Sequence, residues 1–529
     1  MLTRSRLRMA LVLLSVAVLA VAGVAVTRTA GLAAAAAVED DGTDCPVPGS
    51  GSTAASSRLP DPFRTVAGTR ISSKSDWRCR RAEIKELAER HVYGDKPGKP
   101  AGVTGTVSSG NITVSVTHNG RTASFSAGVQ LPTSGSGPFP AVIVVGGFGA
   151  DTATIRAAGA AVISYDPLAV GREGTPRNNK QGAFYSIYGA TSTTGLLAAW
   201  AWGASRIIDV VEQSGGSVLR ADAMGVTGCS RYGKGAFAVG AFDQRIALTM
   251  PIESGSAGVP ILRGIPGESG AQPLSSAYGE QPWLGDAFSA FTGNPGSLPI
   301  DTHEVVAMVA PRGLFIMENP HIDWLAARSG SVAALAGAEV YKALGAGDNI
   351  TYWSDVSDGT HCAARSEWRA PLQQHIQKFL LRTGNAAGTF RVSSRKAGNL
   401  AEWRDWQTPT LTDGPTTPPP SSPPPTSPPP TTPPPAGAGC TASAAVNQWT
   451  GGFVATIRVT AGAQPVNGWT VTVSLPAGAA ITSVWNANRN GNSFTNVAYN
   501  GSLASGQSTE FGFQGTGNGP GAALTCAAR

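Results

Sequence analysis

The chain has 529 residues, room for two or more domains and a large core, and only 14% of them are charged. Four arginines (Arg4, Arg6, Arg8, Arg28) fall in the first 37 residues. Without these four of the 40 basic residues the excess over the 34 acidic ones drops to +2, which argues against a nucleic-acid partner. None of the six cysteines forms a C-x-x-C pair and no histidine cluster has zinc spacing, so disulfides are expected, not a metal site, and nothing calls for a cofactor.

In chain order, a basic head, an apolar run from Ala10 to Val26 and a small-residue tract from Ala33 to Ala37 read as a secretory signal over residues 1–37. The apolar run is near the lower limit for spanning a bilayer and no other stretch is long enough, so a secreted, extracellular protein without a membrane partner is expected.

Residues 38–411 read as one domain. Apolar runs at Pro140–Val145, Ala160–Tyr165, Ala223–Val226, Ala247–Ile252 and Gly313–Met317 alternate with helical patterns, the clearest from Thr194 to Glu212. Strands buried on both faces and separated by helices predict an α/β fold, a mostly parallel sheet sandwiched by helices. Gly146-Gly147-Phe148-Gly149 follow the first of these strands. They lack the spacing and the later acidic residue of a dinucleotide fingerprint, and are read as a tight loop near an active site.

The run Gly228-Cys229-Ser230-Arg231-Tyr232-Gly233 passes from a strand through small residues into a helix-like segment, Lys234 to Val239. This is the pattern of a nucleophile elbow, spelled G-x-S-x-x-G in place of the commoner G-x-S-x-G. A serine hydroxyl needs a base, and the base an acid to orient it. Of six histidines, His361 is favoured over His303 and His375, because it lies late in the chain in a loop after Thr351-Tyr352-Trp353 and beside Cys362. For the acid, Asp323 has the usual position and Glu253 an unusual but reachable one, and spacing does not choose between them. Position along the chain pairs Cys45 with Cys79 and Cys440 with Cys526. That leaves Cys229 for Cys362, a bridge that would bring Ser230 and His361 together.

Residues 412–439 form a Pro/Thr/Ser tract that cannot build a core. At roughly 3 Å per residue it spaces its neighbours by up to about 80 Å. Residues 440–529 are nearly free of charge, and alternating segments such as Phe453–Val459 and Trp469–Ser474 predict a β-sandwich.

Several linked segments resemble the glucuronoyl esterases, carbohydrate esterase family fifteen: Gly228–Ala236, Pro251–Ser256, Gly279–Trp283, Leu298–His303, Ala310–Gly313, Met317–Leu325 and His361-Cys362. The resemblance implies an α/β-hydrolase sandwich and a Ser-Glu-His triad of Ser230, Glu253 and His361. It also implies an oxyanion site at the Arg231 backbone N–H and guanidinium, and sugar contacts from Lys234, Gln272, Glu280 and Trp324. On pattern alone, Lys234 would be a solvated helix residue and Trp324 as readily a core aromatic. The resemblance supports the Cys229–Cys362 and Cys45–Cys79 bridges. A third bridge of many fungal members has no counterpart here. The implied substrates are esters between xylan glucuronate and lignin alcohols. The alternatives are an acetyl xylan or feruloyl esterase of the same fold, or a cellulose-binding protein with an inactive hydrolase domain.

The last segment is similar to family-two carbohydrate-binding modules through Asn447-Gln448-Trp449, Gly468-Trp469-Thr470, Val484-Trp485-Asn486, Ala498–Gly501 and Phe511-Gly512-Phe513. The resemblance makes Trp469 the core tryptophan. It makes Trp449, Trp485 and Tyr499 a flat strip that stacks on a cellulose surface, with tyrosine where tryptophan is usual. A flexible two-module chain is expected to act as a monomer.

Overall fold

In the computed structural model the residues described are 38–46, 55–413, 439–449, 452–497, 500–520 and 524–528. They fall into two units divided at Pro418/Pro419. The expected signal segment and residues 414–438 of the Pro/Thr/Ser tract lie outside the described residues. No helix among the described residues is long and apolar enough to cross a membrane.

A ten-stranded sheet organises the first unit, in the order β1-β2-β3-β5-β4-β6-β7-β8-β9-β10. The strands are β1 (Gly102–Val107), β2 (Asn111–His118), β3 (Arg121–Gln130), β4 (Phe139–Val145), β5 (Ala161–Tyr165), β6 (Leu219–Cys229), β7 (Ile246–Ile252), β8 (Gly313–Met317), β9 (Ile350–Trp353) and β10 (Phe390–Arg391). From β5 to β10 all pairings are parallel. β1, β2 and β3 add an antiparallel meander that the apolar runs did not announce. Its strands are half-buried: in β2 only Ile112, Val114 and Val116 face the core, between Thr and Ser residues that do not.

Alternate residues of β4 join two separate cores. Ala141, Ile143 and Val145 pack with helices α1 (Lys74–Ala88), α2 (Leu196–Gln213), α3 (Arg231–Phe242) and α4 (Ala327–Ala343) on one face. Val142 and Val144 pack with Trp368 and Leu372 of helix α5 (Ser366–His375) and with Ile376, the next residue, on the other. The result is the three-layer α/β-hydrolase sandwich. α2 is buried on every side from Leu196 to Val211. The amino-terminal segment contributes to this, since Glu39 pairs with Arg206 of α2 and with Lys96. Disulfide Cys45–Cys79 fastens the same segment, with Cα atoms 5.3 Å apart.

The second unit is a sandwich of two four-stranded antiparallel sheets, β11-β12-β17-β14 and β15-β16-β13-β18. These are β11 (Cys440–Trp449), β12 (Gly452–Ala461), β13 (Trp469–Val473), β14 (Ala480–Trp485), β15 (Ala487–Asn490), β16 (Ser493–Asn496), β17 (Ser508–Thr516) and β18 (Leu524–Ala528). Trp469 is fully buried, stacks on Phe511 at 5.1 Å and donates its indole N–H to the Asn500 carbonyl at 2.8 Å. Cys440–Cys526 ties β11 to β18 across the two sheets.

Candidate active site

Parallel strands deliver their carboxyl ends to one edge of the sheet, and there the chain meets the residues singled out above. β6 ends at Cys229 and α3 begins at Arg231, so Ser230 alone carries the reversal, at φ 59° and ψ −126°. Its N–H is held by the Ile252 carbonyl at 2.9 Å. A Cβ on Gly228 would lie 2.5 Å from the Tyr232 carbonyl oxygen, and one on Gly233 2.4 Å from that of Ile252. The variant spelling has a physical cause. Two residues after the serine stands Tyr232, whose ring lies over Gly146, where any Cβ would be 2.2 Å away. Glycine is needed one residue later, where α3 crosses the end of β7.

Glu253 follows β7 directly, fully buried and at φ 46°. Its Oε2 accepts from His361 Nδ1 at 2.6 Å and from the Cys362 backbone N–H at 2.8 Å. Asn319 Nδ2 donates to Oε1 at 3.3 Å, and Arg365 Nε lies 3.8 Å away. Disulfide Cys229–Cys362, with Cα atoms 5.8 Å apart, fastens the serine turn to the histidine loop. With Nδ1 committed to the carboxylate, Nε2 is left for proton transfer, and Ser230 and His361 line the same cavity.

The other candidate acid and the rival histidines are elsewhere. Asp323 is exposed and paired with Lys396 at 2.9 Å. His303 and His375 are buried in the core, where burial lowers each to a pKa of about 4. His303 Nε2 meets the Pro60 carbonyl at 2.9 Å, and His375 is held by Pro371 O and Thr351 Oγ1.

The cavity, of about 520 Å³, also gathers Arg231, Lys234, Gln272, Glu280 and Trp324. Gln272 donates to Glu280 Oε2 at 2.8 Å. Lys234 departs from the pattern-based expectation: it is 5% exposed, donates to the Ser254 carbonyl and sits 5.4 Å over the Trp283 ring. The lysine is buried because α3 is buried on every side from Gly233 onward. Burial lowers its pKa to about 8 against the opposing pull of Glu280 and Glu318. Trp324 is no core residue but 53% exposed, its ring edge-on to His361 at 6.2 Å.

Three residues next to these groups escaped the sequence reading. Glu173 accepts from Arg231 Nη1 at 3.0 Å and from Trp283 Nε1 at 2.6 Å, fixing the guanidinium against the cavity wall. It belongs to a loop with no periodic pattern, so nothing in the sequence marks it. Trp283 stood inside a quoted segment without a role. Glu318, buried next to Glu253, has its pKa pushed well above the ordinary carboxylate range by burial and then by its acidic neighbour.

Serine turn, buried acid and histidine on a three-layer parallel sheet are the features of an α/β-hydrolase. A family model described as glucuronyl esterase, fungi, matches residues 114–345, and one described as cellulose binding domain matches residues 440–528. The 4-O-methyl-glucuronoyl methylesterase of Neurospora crassa is 39% identical over 385 residues, covering 72% of this chain and 96% of the relative. The solved glucuronoyl esterase catalytic domain from Hypocrea jecorina has a TM-score of 0.65 at 35% identity, covering 69% of this chain and all of that one. A serine-to-alanine mutant of the Sporotrichum thermophile glucuronoyl esterase, solved with methyl 4-O-methyl-β-D-glucopyranuronate, has a TM-score of 0.65 at 37% identity, over 70% of this chain and all of that one. The chain belongs to the glucuronoyl esterase family, and a cellulose-binding module is joined to its carboxyl end.

In that module Trp485 closes β14, 38% exposed, with its indole over Gly512, where a Cβ would lie 2.2 Å from the ring. β11, which ends at Trp449, is the opposite edge of the same sheet. The side chain of Trp449, and Tyr499 altogether, lie outside the described residues.

Proposed function

We propose that this chain is a secreted serine esterase that cleaves esters between glucuronate side chains of xylan and lignin alcohols, held at cellulose by its carboxyl-terminal module. The observation that carries the reading is the buried Glu253 carboxylate bonded to His361 Nδ1, in a loop disulfide-linked to the Ser230 turn, beside a cavity walled by sugar-binding types of side chain.

His361 Nε2 takes the proton of Ser230 as the hydroxyl oxygen adds to the uronate carbonyl carbon. Glu253 keeps the imidazole in the tautomer this needs and stabilises the imidazolium. The oxyanion is met by the Arg231 N–H and guanidinium, the latter steadied by Glu173. His361 returns the proton to the departing alcohol oxygen as the ester C–O bond breaks, leaving glucuronoyl-Ser230. Water, deprotonated by His361, then releases the acid and restores the serine. Gln272, Glu280 and Lys234 suit the sugar hydroxyls, and Trp324 an apolar ring edge. In the module, Trp449, Trp485 and Tyr499 would lie on the glucan rings.

The test is hydrolysis of benzyl glucuronate beside acetylated xylan, by wild type and Ser230→Ala. Uronate cleavage that disappears with Ser230→Ala is expected. Deacetylation without uronate cleavage would overturn the uronate assignment while keeping a serine esterase.

A further inference from the structure

Two carboxyl groups are buried together at the catalytic edge of the sheet, and the scheme above uses one of them. Ile252 of β7 and Met317 of β8 are partners in register, and the next residue on each strand is a glutamate, Glu253 and Glu318. Neither has any exposed surface. Two carboxylates side by side and away from water repel each other, so such a pair favours one negative charge and one proton. The triad works only if the charge is on Glu253.

The surroundings of the two acids are unequal. Glu253 accepts from His361 and Cys362 on one oxygen and from the Asn319 amide on the other. Glu318 meets Ser254 Oγ at 3.5 Å on Oε1, and its Oε2 has no hydrogen-bond partner among the described residues. Lys234, Glu268 and Tyr352 are the other titratable groups around Glu318, but Lys234 donates to the Ser254 carbonyl and Tyr352 to that of Ala327. Behind Glu253 stands Arg365, its side chain 2% exposed and its Nε 3.8 Å from Glu253 Oε1. That Nε has no hydrogen-bond partner among the described residues. The guanidinium is held in place because Nη2 donates to the Asp358 and Thr360 carbonyls at 3.1 and 2.7 Å, in the loop that leads into His361. An arginine cannot give up its proton here, so the cation is permanent. We infer that Arg365 is a positioning residue that assigns the charge of the pair, keeping the anion on Glu253 against His361 and leaving the proton on Glu318.

This rests on the esterase reading and deepens it. An opposite charge within about 4–6 Å favours the ionised acid by about ten- to a thousandfold. Without it the proton is free to pass to Glu253, which then no longer stabilises the imidazolium. The experiment measures kcat and KM on benzyl glucuronate for Arg365→Met and Arg365→Lys, each with Glu318 intact and in a Glu318→Gln background. Arg365→Met should lower kcat about tenfold or more with KM little changed while Glu318 is present, and far less once no second carboxyl competes. Arg365→Lys, which keeps a cation, should stay closer to wild type. An equal loss in both backgrounds, no loss in either, or a lysine variant no better than methionine overturns the inference. An infrared comparison of wild type with Glu318→Gln at neutral pH does not depend on the arginine variants folding. The C=O stretch of a protonated carboxyl should be present in wild type and reduced in Glu318→Gln, and identical bands in the two overturn the inference. Failure of wild type to cleave the uronate ester overturns the esterase reading and the positioning role with it, a result distinct from any change in the infrared band.

Discussion

Replacing Glu253 by glutamine tests the least usual feature of the site, an acid placed straight after β7. Its Oε2 receives two N–H donors, from His361 and Cys362, and Oε1 receives the Asn319 amide. A glutamine offers one acceptor and one NH2 group, so whichever way it is turned a donor faces a donor. With the NH2 toward His361, the imidazole must carry its proton on Nε2, the atom meant to accept from Ser230, and the base is lost. With the oxygen toward His361, the NH2 faces Asn319 and Arg365 in a fully buried place. The wrong tautomer in a Ser-His-acid triad lowers kcat about 10⁴-fold, or about 5.5 kcal/mol of transition-state stabilisation. A misplaced buried donor adds a stability cost of about 1–3 kcal/mol.

The assay is kcat and KM on benzyl glucuronate together with denaturant unfolding. Asp323→Asn serves as the companion, because Asp323 has the conventional position for the acid but is exposed on Lys396. We expect Glu253→Gln to lose nearly all turnover with KM little changed, and Asp323→Asn to retain it. Turnover of Glu253→Gln within about tenfold of wild type, below the roughly 10²–10⁴-fold that general acid–base catalysis contributes, would refute the reasoning. So would an equal loss in Asp323→Asn.

Glu173→Gln should lower kcat about tenfold by loosening the Arg231 guanidinium, a fraction of the cost of deleting an oxyanion donor. In an Arg231→Ala background the same change should do nothing, as a double-mutant cycle would read. Replacing Cys229 and Cys362 together by alanine opens a link across 133 residues, with a loop-closure cost of about 4–5 kcal/mol in denaturant unfolding. Asp243 is buried, which alone would raise its pKa, but Arg245 at 2.7 Å wins and holds it at about 2. Its stabilisation is therefore complete above about pH 4 and lost as pH falls toward 2, about 2 kcal/mol that Asp243→Asn should remove from the acid limb of the stability curve. Trp485→Ala should lower retention on cellulose about tenfold, with hydrolysis of soluble esters unchanged, in a pull-down run beside the esterase assay.

Much of this site was legible because the chemistry demands rare combinations of residue types in a fixed order. A serine between glycines after an apolar run, a cysteine beside it and a second cysteine beside a late histidine made a set with few other meanings. Resemblance, not spacing, favoured Glu253 over Asp323. The structure gives the reason spacing could not: both follow a strand of the same parallel set, and they differ in burial and in partner, His361 for Glu253 and Lys396 for Asp323. Lys234 and Trp324 were opaque for the opposite cause, since helical position says which face a residue takes but not whether that face meets water. Lys234 faces inward and Trp324 outward, each contrary to the ordinary habit of its residue type.

Backbone strain marks the part of the centre that local propensity does not describe. Ser230, Glu253 and Cys362 all have positive φ, at 59°, 46° and 58°, where residues with side chains seldom go. No propensity scale points to any of them. Each is instead fixed by long-range bonds: Ser230 N–H to Ile252, Glu253 N–H to Met317, and Cys362 by the disulfide and by its own N–H to Glu253. The sheet thus imposes three strained turns on one edge; Ser230 and His361 line a single cavity, and the buried Glu253 carboxylate reaches His361 Nδ1. Relaxing one turn should disturb the other two, because Glu253 is bonded to the histidine loop and the histidine loop to the serine turn. The circuit closes because the Ser230 N–H returns to the Ile252 carbonyl, one residue before Glu253.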